Sequence, residues 1–232
     1  SLTERERKVF LYPGLIVLMI LTIVPSILGI WVSLNHLPQG GNTEWTFVGL
    51  QNYLSVIMRA EMLNSILVTA VYVVLSVSLT TGLGFLLALA LQGNFYGKSI
   101  VMSLFILPVV FTPVVSGLIW KFMFMADLGI INYFLSFFGI GTINWLADQH
   151  LAFVAVLIAD VWQWTPFCMY FLLAGLQNIS TTQYEAASID GAGKVQTLIR
   201  IILPQLLPIS SIVLLFRLMD AFKIFDQIFV MT

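Results

Sequence analysis

Charge is what this chain has least of: only 9% of its 232 residues are Asp, Glu, Lys or Arg, against about 25% in a soluble domain. That is too little polar surface to cover a folded body in water, so a water-soluble globule is excluded. With 59% hydrophobic residues and a mean hydropathy of +0.99, the solvent that suits this chain is lipid. The 10 basic and 11 acidic residues nearly cancel, which leaves no field favouring nucleic acid or an anionic partner. Cysteine is almost absent as well. The single Cys168 excludes an internal disulfide framework and a CxxC metal or redox site. Histidine occurs only at His36 and His150, in loops far apart, so no metal site is expected. There is neither a G-x-S-x-G elbow nor an H-E-x-x-H helix, and nothing supports hydrolytic chemistry by the chain itself.

What the chain has in abundance is long apolar runs. A membrane-crossing helix needs about 20 mainly apolar residues. Five stretches qualify: Pro13 to Leu34, Asn64 to Leu91, Ser99 to Phe124, Leu151 to Gln177, and Pro204 to about Ile228. The fold class that follows is all-α, a polytopic membrane helix bundle forming one transmembrane domain over residues 1–232, with residues 178–203 as a long loop. Arg5, Arg7 and Lys8 precede the first stretch, as in a signal peptide. Its apolar run is nevertheless too long for such a peptide, and no A-x-A-like cleavage site follows, so a retained span is expected. Lysine and arginine in short loops set direction. Arg5, Arg7, Lys8, Lys98, Lys194 and Arg200 fall on one side and only Arg59 on the other, which puts the N-terminus and the loop 178–200 in the cytoplasm. Trp31, Trp45, Trp120 and Trp145 then suit anchors near the outer interface.

Within the spans, Ser76, Thr80, Gly84 and Ala88 repeat every four residues, the spacing at which small residues let helix backbones approach closely. Pro108 and Pro113 remove backbone donors and are expected to bend or loosen the third span. Ionisable residues in a span are costly and point to function or to a partner. The fourth span carries Asp160; the fifth carries Arg217, Asp220 and Lys223, followed by Asp226. At 1.5 Å per residue, Asp160 lies roughly 14 Å below the outer end of its span and Arg217 about 19 Å above the inner end of its own. These depths are comparable, so Asp160 and Arg217 are expected to pair, either as a structural clamp or as a pathway gate. Around Asp160, the side chains of Gln163, Trp164, Phe167 and Phe171 fall near one helical face. Aromatic walls with few hydrogen-bonding groups suit a sugar, so this face is a candidate lining of a substrate pathway; an aromatic helix interface is the alternative.

The loop after the fourth span is the most informative segment. Thr182 followed by Glu185 has the capping-box pattern that starts a helix. Asp190-Gly191 and Gly193 supply a turn, Val195 to Ile202 a second helical run, and Pro204 a tolerated opening residue for the fifth span. The product is a helix-turn-helix elbow. Gly191-Ala192-Gly193-Lys194 imitates the end of a P-loop, but Ser188 and Val195 stand where glycine and Ser/Thr are needed and no strand precedes them. The segment does not bind ATP.

Glu185-Ala186-Ala187, Gly191, and Ile201-x-Leu203-Pro204 resemble the EAA motif of ABC-importer permeases. Phe47-Val48-Gly49-Leu50-x-Asn52-Tyr53, Gly129-x-x-Asn132, Trp164-x-Pro166-Phe167, Ala174-Gly175-Leu176-Gln177 and Phe225-Asp226 are similar, in order, to the carbohydrate-importer, maltose-type branch. The resemblance implies a type I importer permease fold. It also implies that Glu185, Ala186, Ala187, Asp190, Gly191, Ala192 and Gly193 form a coupling elbow docked in a cleft of a separate ATPase, Glu185 meeting a basic residue there. The implied partners are a second permease subunit, two ATPase subunits that hold the ATP and Mg, and an extracytoplasmic solute-binding protein, all in or against the lipid bilayer of the bacterial inner membrane. This chain itself would bind no cofactor and would not be an enzyme. Its task would be to import sugars or related polyols by alternating access. Members of the family usually carry a sixth span after the Phe225-Asp226 segment, and only five are present here. A secondary transporter of a small polar solute is the rival reading; it calls for internal repeats or broken helices at matching positions, and the sequence displays no such pair.

Overall fold

The computed structural model describes residues 4–36 and 45–232, and helices dominate it. Among the described residues, four helices are long and apolar enough to cross a membrane alone, and a fifth crossing exists if one bent pair of helices is counted as a span. The chain divides into two units, residues 1–67 and 68–232.

In the first unit, α1 (Glu4–Ser33) exposes its apolar side chains, the surface that a lipid-immersed helix presents. The side chains of Arg5, Arg7 and Lys8, which weigh in the orientation argument, lie outside the described residues. After α1, a short antiparallel pair joins β1 (Asn35–His36) to β2 (Thr46–Phe47), and α2 (Gln51–Ile57) follows. The motif residues here are structural. Gly49 takes a left-handed φ of +57° in the turn before α2, a conformation glycine adopts without steric cost. Asn52 donates to the carbonyls of Ser33 and Asn35 at 2.9 and 3.0 Å, and the Tyr53 and Ser33 hydroxyls lie 2.7 Å apart. Trp31 and Trp45 meet, with ring centroids 5.0 Å apart.

The second unit is built from the greater part of α3 (Ala60–Ala90), then α4 (Lys98–Val110), α5 (Pro113–Met123), α6 (Ile130–Ser136) and α7 (Gln149–Gln177). An elbow follows, made of α8 (Thr181–Ile189), α9 (Lys194–Thr197) and a π-turn over Leu198–Ile202. It continues into α10 (Leu203–Ala221) and α11 (Phe225–Met231). Pro204 has no N–H for the Arg200 carbonyl and its ring crowds that group; the wider π-turn occupies this stretch. The second leg of the elbow and the fifth span therefore form one helical run over Lys194–Ala221, rather than a helical run ending at Ile202 and a separate helix opening at Pro204.

Two expected spans are interrupted. The third breaks at Phe111 and Thr112, and α4 and α5 cross at 100°. Both break residues are extended, with ψ of 139° and 153°, and Thr112 is so as the residue before a proline prefers. The Thr112 hydroxyl accepts from Val115 N–H at 3.4 Å, and Pro113 occupies the first turn of α5. Thr112-Pro113 is thus a helix-start signal, stronger than the bend expected of Pro113 alone. The fifth span ends early: α10 stops at Ala221, and a turn at Phe222–Ile224 sets α11 apart. α11 packs on α5, where the Lys121 ammonium donates to the Val230 carbonyl at 2.9 Å.

The core of this unit has two apolar clusters. One gathers Tyr72, Val77, Phe124, Val156 and Met231; the other gathers Ala88, Leu91, Met169, Leu172, Leu176 and Leu206. α3 and α7 touch at the small-residue stripe. A Cβ on Gly84 would stand 2.6 Å from the Cys168 Cβ and 2.9 Å from the Met169 amide nitrogen, so only glycine permits this approach.

Candidate functional site

Along α3 and α7, a layer of polar side chains falls between the two apolar clusters. Ser76, Thr80, Asp160, Gln163 and Arg217 are each 1% exposed or less. An uncompensated charge in such a place is unaffordable, and the geometry shows how it is compensated. Arg217 Nη2 lies 2.8 Å from Asp160 Oδ2 and donates to Ser76 Oγ at 2.5 Å. Arg217 Nη1 lies 2.9 Å from Asp220 Oδ2, and Nε donates to Thr80 Oγ1 at 3.2 Å. Ser76 donates in turn to Asp160 Oδ2 at 2.5 Å. The indole of Trp164 lies under the guanidinium, 5.3 Å from ring centroid to Cζ, a cation–π distance.

The structure therefore brings Asp160 and Arg217 together across α7 and α10, and adds partners that the sequence argument did not name. The four-residue spacing of Ser76 and Thr80 predicts small spacers between helices. They serve that purpose and also carry hydroxyls into the ion pair, so α3 joins the clamp. From sequence, Asp220 stands only as one of the ionisable residues of the fifth span, without an assigned partner. Its place three residues after Arg217, on the neighbouring turn, is the sequence signal that could have identified it as a second counterion.

Gln163 has a different task. Its side-chain amide donates to the Phe111 carbonyl at 2.9 Å, at the break between α4 and α5. A helix end leaves carbonyls without intrahelical partners, and lipid offers none, so Gln163 stabilises the break. Trp164 and Phe167 are half-buried, and Phe171 is exposed. They form an aromatic strip with centroid spacings of 5.7 and 4.7 Å, and Phe216 of α10 joins it 6.3 Å from Phe167. The single face expected around Asp160 thus divides by role: Asp160 and Gln163 are engaged inside the bundle, and the aromatic strip lies at its edge. Two open grooves indent this unit, about 570 and 520 Å³ in volume, and none of those five side chains lines either one.

The elbow is the second candidate site. α8 begins after Ser180, whose hydroxyl lies 2.7 Å from that of Thr182. The capping box expected of Thr182 and Glu185 is not formed, because α8 starts earlier and Thr182 already lies within it. The helix closes in a Schellman turn: Ala192 N–H donates to the Ala187 carbonyl at 2.9 Å and Gly191 N–H to Ser188 at 3.2 Å. Gly191 sits at φ +73°, the left-handed position that favours glycine at a helix end. Thr182, Glu185, Ala186 and Ile189 are exposed and recur at the three- and four-residue steps of one helix face. Ala187 faces the other way and is buried. Of the coupling residues named from sequence, Glu185 and Ala186 are open to a partner, Ala187 packs α8 onto the bundle, and exposed Asp190, Gly191 and Gly193 form the bend with Ala192.

Comparison with known proteins follows the same lines. Residues 80–228 match the family described as binding-protein-dependent transport system inner membrane component. The trehalose/maltose transport system permease protein MalF of Thermococcus litoralis is 38% identical over 235 residues, covering 100% of this chain and 79% of that protein. The trehalose transport system permease protein SugA of Mycobacterium tuberculosis is 30% identical, covering 95% and 70%. The sn-glycerol-3-phosphate permease protein UgpA of Pectobacterium atrosepticum is 31% identical, covering 92% and 72%. In fold, the chain is similar to a chain of a bacterial ABC transporter that imports alginate, with a TM-score of 0.77 at 21% identity, covering 94% of this chain and 74% of that one. The family match takes in the polar layer from Thr80 onward, the whole elbow and most of α11, and the similarity to MalF runs the length of the sequence: this multi-pass membrane protein belongs to the inner membrane components of binding-protein-dependent transport systems, the permease subunits of ABC importers.

Proposed function

We propose that this permease imports a sugar or related polyol, coupling closure of a partner ATPase to alternating access. The observation that carries the substrate class is the 38% identity with a trehalose/maltose permease over the full chain. In this reading a second permease completes the pathway, two ATPase subunits bind ATP and Mg, and an extracytoplasmic binding protein delivers the substrate. A bacterial alginate transporter with a chain of similar fold has been captured in complex with its periplasmic protein. The N-terminus and the elbow face the cytoplasm, as the distribution of Lys and Arg implies.

The exposed stripe Thr182–Glu185–Ala186–Ile189 is the surface offered to the ATPase, with Glu185 as its anion. The Trp164–Phe167–Phe171 strip is the wall offered to the pathway, whose other walls come from the second permease. Sugar ring faces stack on such aromatic surfaces and their hydroxyls need only a few polar groups nearby. The Asp160–Arg217–Asp220 layer holds α3, α7 and α10 together as the strip turns between its two orientations.

Purification from the native membrane in mild detergent tests this reading. An ATPase and a second permease are expected to copurify, and uptake of labelled trehalose or maltose by proteoliposomes is expected to require ATP. Uptake that persists without ATP and without an associated ATPase would refute it.

A further inference from the structure

The elbow is joined through the chain to α7 on one side and to α10 on the other. The helices α3 and α4 have no such covalent neighbour in it. Movement of α8 reaches them only across non-covalent contacts: α7 packs on α4, and one contact runs directly from α8 to the turn that joins α3 and α4. The Gln92 side-chain amide, in the turn between α3 and α4, donates to the Tyr184 hydroxyl at 3.2 Å. Among the described residues this is the only side-chain hydrogen bond between α8 and that turn.

Both ends of the bond are held. The Tyr184 ring is half-buried against the apolar cluster containing Ala88, Leu91 and Leu206, which fixes where its hydroxyl points. The Lys98 ammonium, from the first turn of α4, donates to the Gln92 and Gly93 carbonyls at 3.4 and 2.9 Å. A push on Tyr184 therefore arrives at α3 and α4 together. The adjacent Gln183 is hydrogen-bonded to Gln205 near the start of α10. Two consecutive residues of α8 thus grip different parts of the bundle, the α3–α4 turn and the start of α10, while the stripe through Glu185 remains open on the opposite face.

We infer that Tyr184 and Gln92 are positioning residues for transport. Their hydrogen bond carries the displacement of α8 to α3 and α4, which the chain connectivity of the elbow does not reach. This rests on the importer reading above, with α8 as the segment that the ATPase moves.

The test uses the complete transporter in liposomes, with spin labels at L86C on α3 and L207C on α10, both exposed positions. Distances are measured without nucleotide and after trapping with ATP and vanadate. The parent protein is expected to show a nucleotide-driven change between the two sites. Y184F and Q92L each keep the packing but lose the bond, and are expected to reduce the population that makes that change about two- to twelvefold, the equilibrium weight of one ordinary hydrogen bond. The double variant is expected to lose no more than either single one. Q92E, whose carboxylate accepts from the phenol, is expected to restore the change. ATP hydrolysis is expected to continue in every variant.

Full distance changes in Y184F and Q92L would overturn the inference while leaving the importer reading intact. Losses that multiply in the double variant, or a Q92E that fails to restore the change, would overturn it in favour of simple packing. Failure of the parent chain to associate with an ATPase would remove the importer reading, and the inference with it.

Discussion

Replacing Arg217 with leucine should be the most damaging single change inside the bundle, and the structure indicates by how much. The side chain is fully buried and contacts Asp160, Asp220, Ser76 and Thr80. R217L leaves the Asp160 carboxylate without its cation in an apolar interior, a loss of about 3–5 kcal/mol. D160L should cost less, about 1.5–3 kcal/mol, the value of a charge-assisted hydrogen bond, because Arg217 retains Asp220 at 2.9 Å. The decisive variant is D160L/R217L. It removes the stranded charge as well as the pair, so it should be more stable than R217L alone, although two residues have changed. The assay is reversible denaturant unfolding of the purified protein in mixed micelles, each stability taken from midpoint and slope. Near-additive losses would show that Asp160 and Arg217 are energetically independent. An R217L protein within about 0.5 kcal/mol of the parent, the range of an unremarkable surface substitution, would refute a buried clamp altogether.

Two further outcomes follow from the same packing. Because a Cβ at position 84 would stand 2.6 Å from Cys168 and 2.9 Å from the Met169 backbone, G84A should cost about 1–3 kcal/mol in the same unfolding assay. G82A, where a Cβ would meet nothing within 4 Å, should be nearly silent. Q163L removes the donor that satisfies the Phe111 carbonyl at the α4–α5 break and should cost about 1–3 kcal/mol. Faster hydrogen exchange confined to the first turn of α5 is its expected signature, and unchanged exchange there would show that the break holds without Gln163.

How much of this was legible in advance depended on whether the determinant was local. Thr112-Pro113 is a legible helix start, yet the apolar run around it points to one bent span, because proline inside such a run suggests a kink before it suggests a cap. The break at Phe222–Ile224 carries no Gly, Pro or capping residue. It arises where α11 packs onto α5 and Lys121 reaches Val230, a contact between residues 109 positions apart. Comparable depth was enough to suggest that Asp160 and Arg217 meet. It could not reveal that Ser76 and Thr80 complete their coordination, since a small residue at a helix crossing looks the same from sequence whether or not its hydroxyl is used.

The sequence by itself determined the solvent, the number of apolar runs and the family. Those depend on composition and on a contiguous motif, which survive any folding of the chain. Only the tertiary structure decided that Ala187 faces inward while Glu185 and Ala186 face outward, that Gln163 serves a backbone break rather than an open cavity, and that Tyr184 reaches Gln92. Each of these depends on the rotation of a helix relative to a neighbour distant in sequence. That rotation is set by close packing across the whole bundle, which no local stretch of residues encodes.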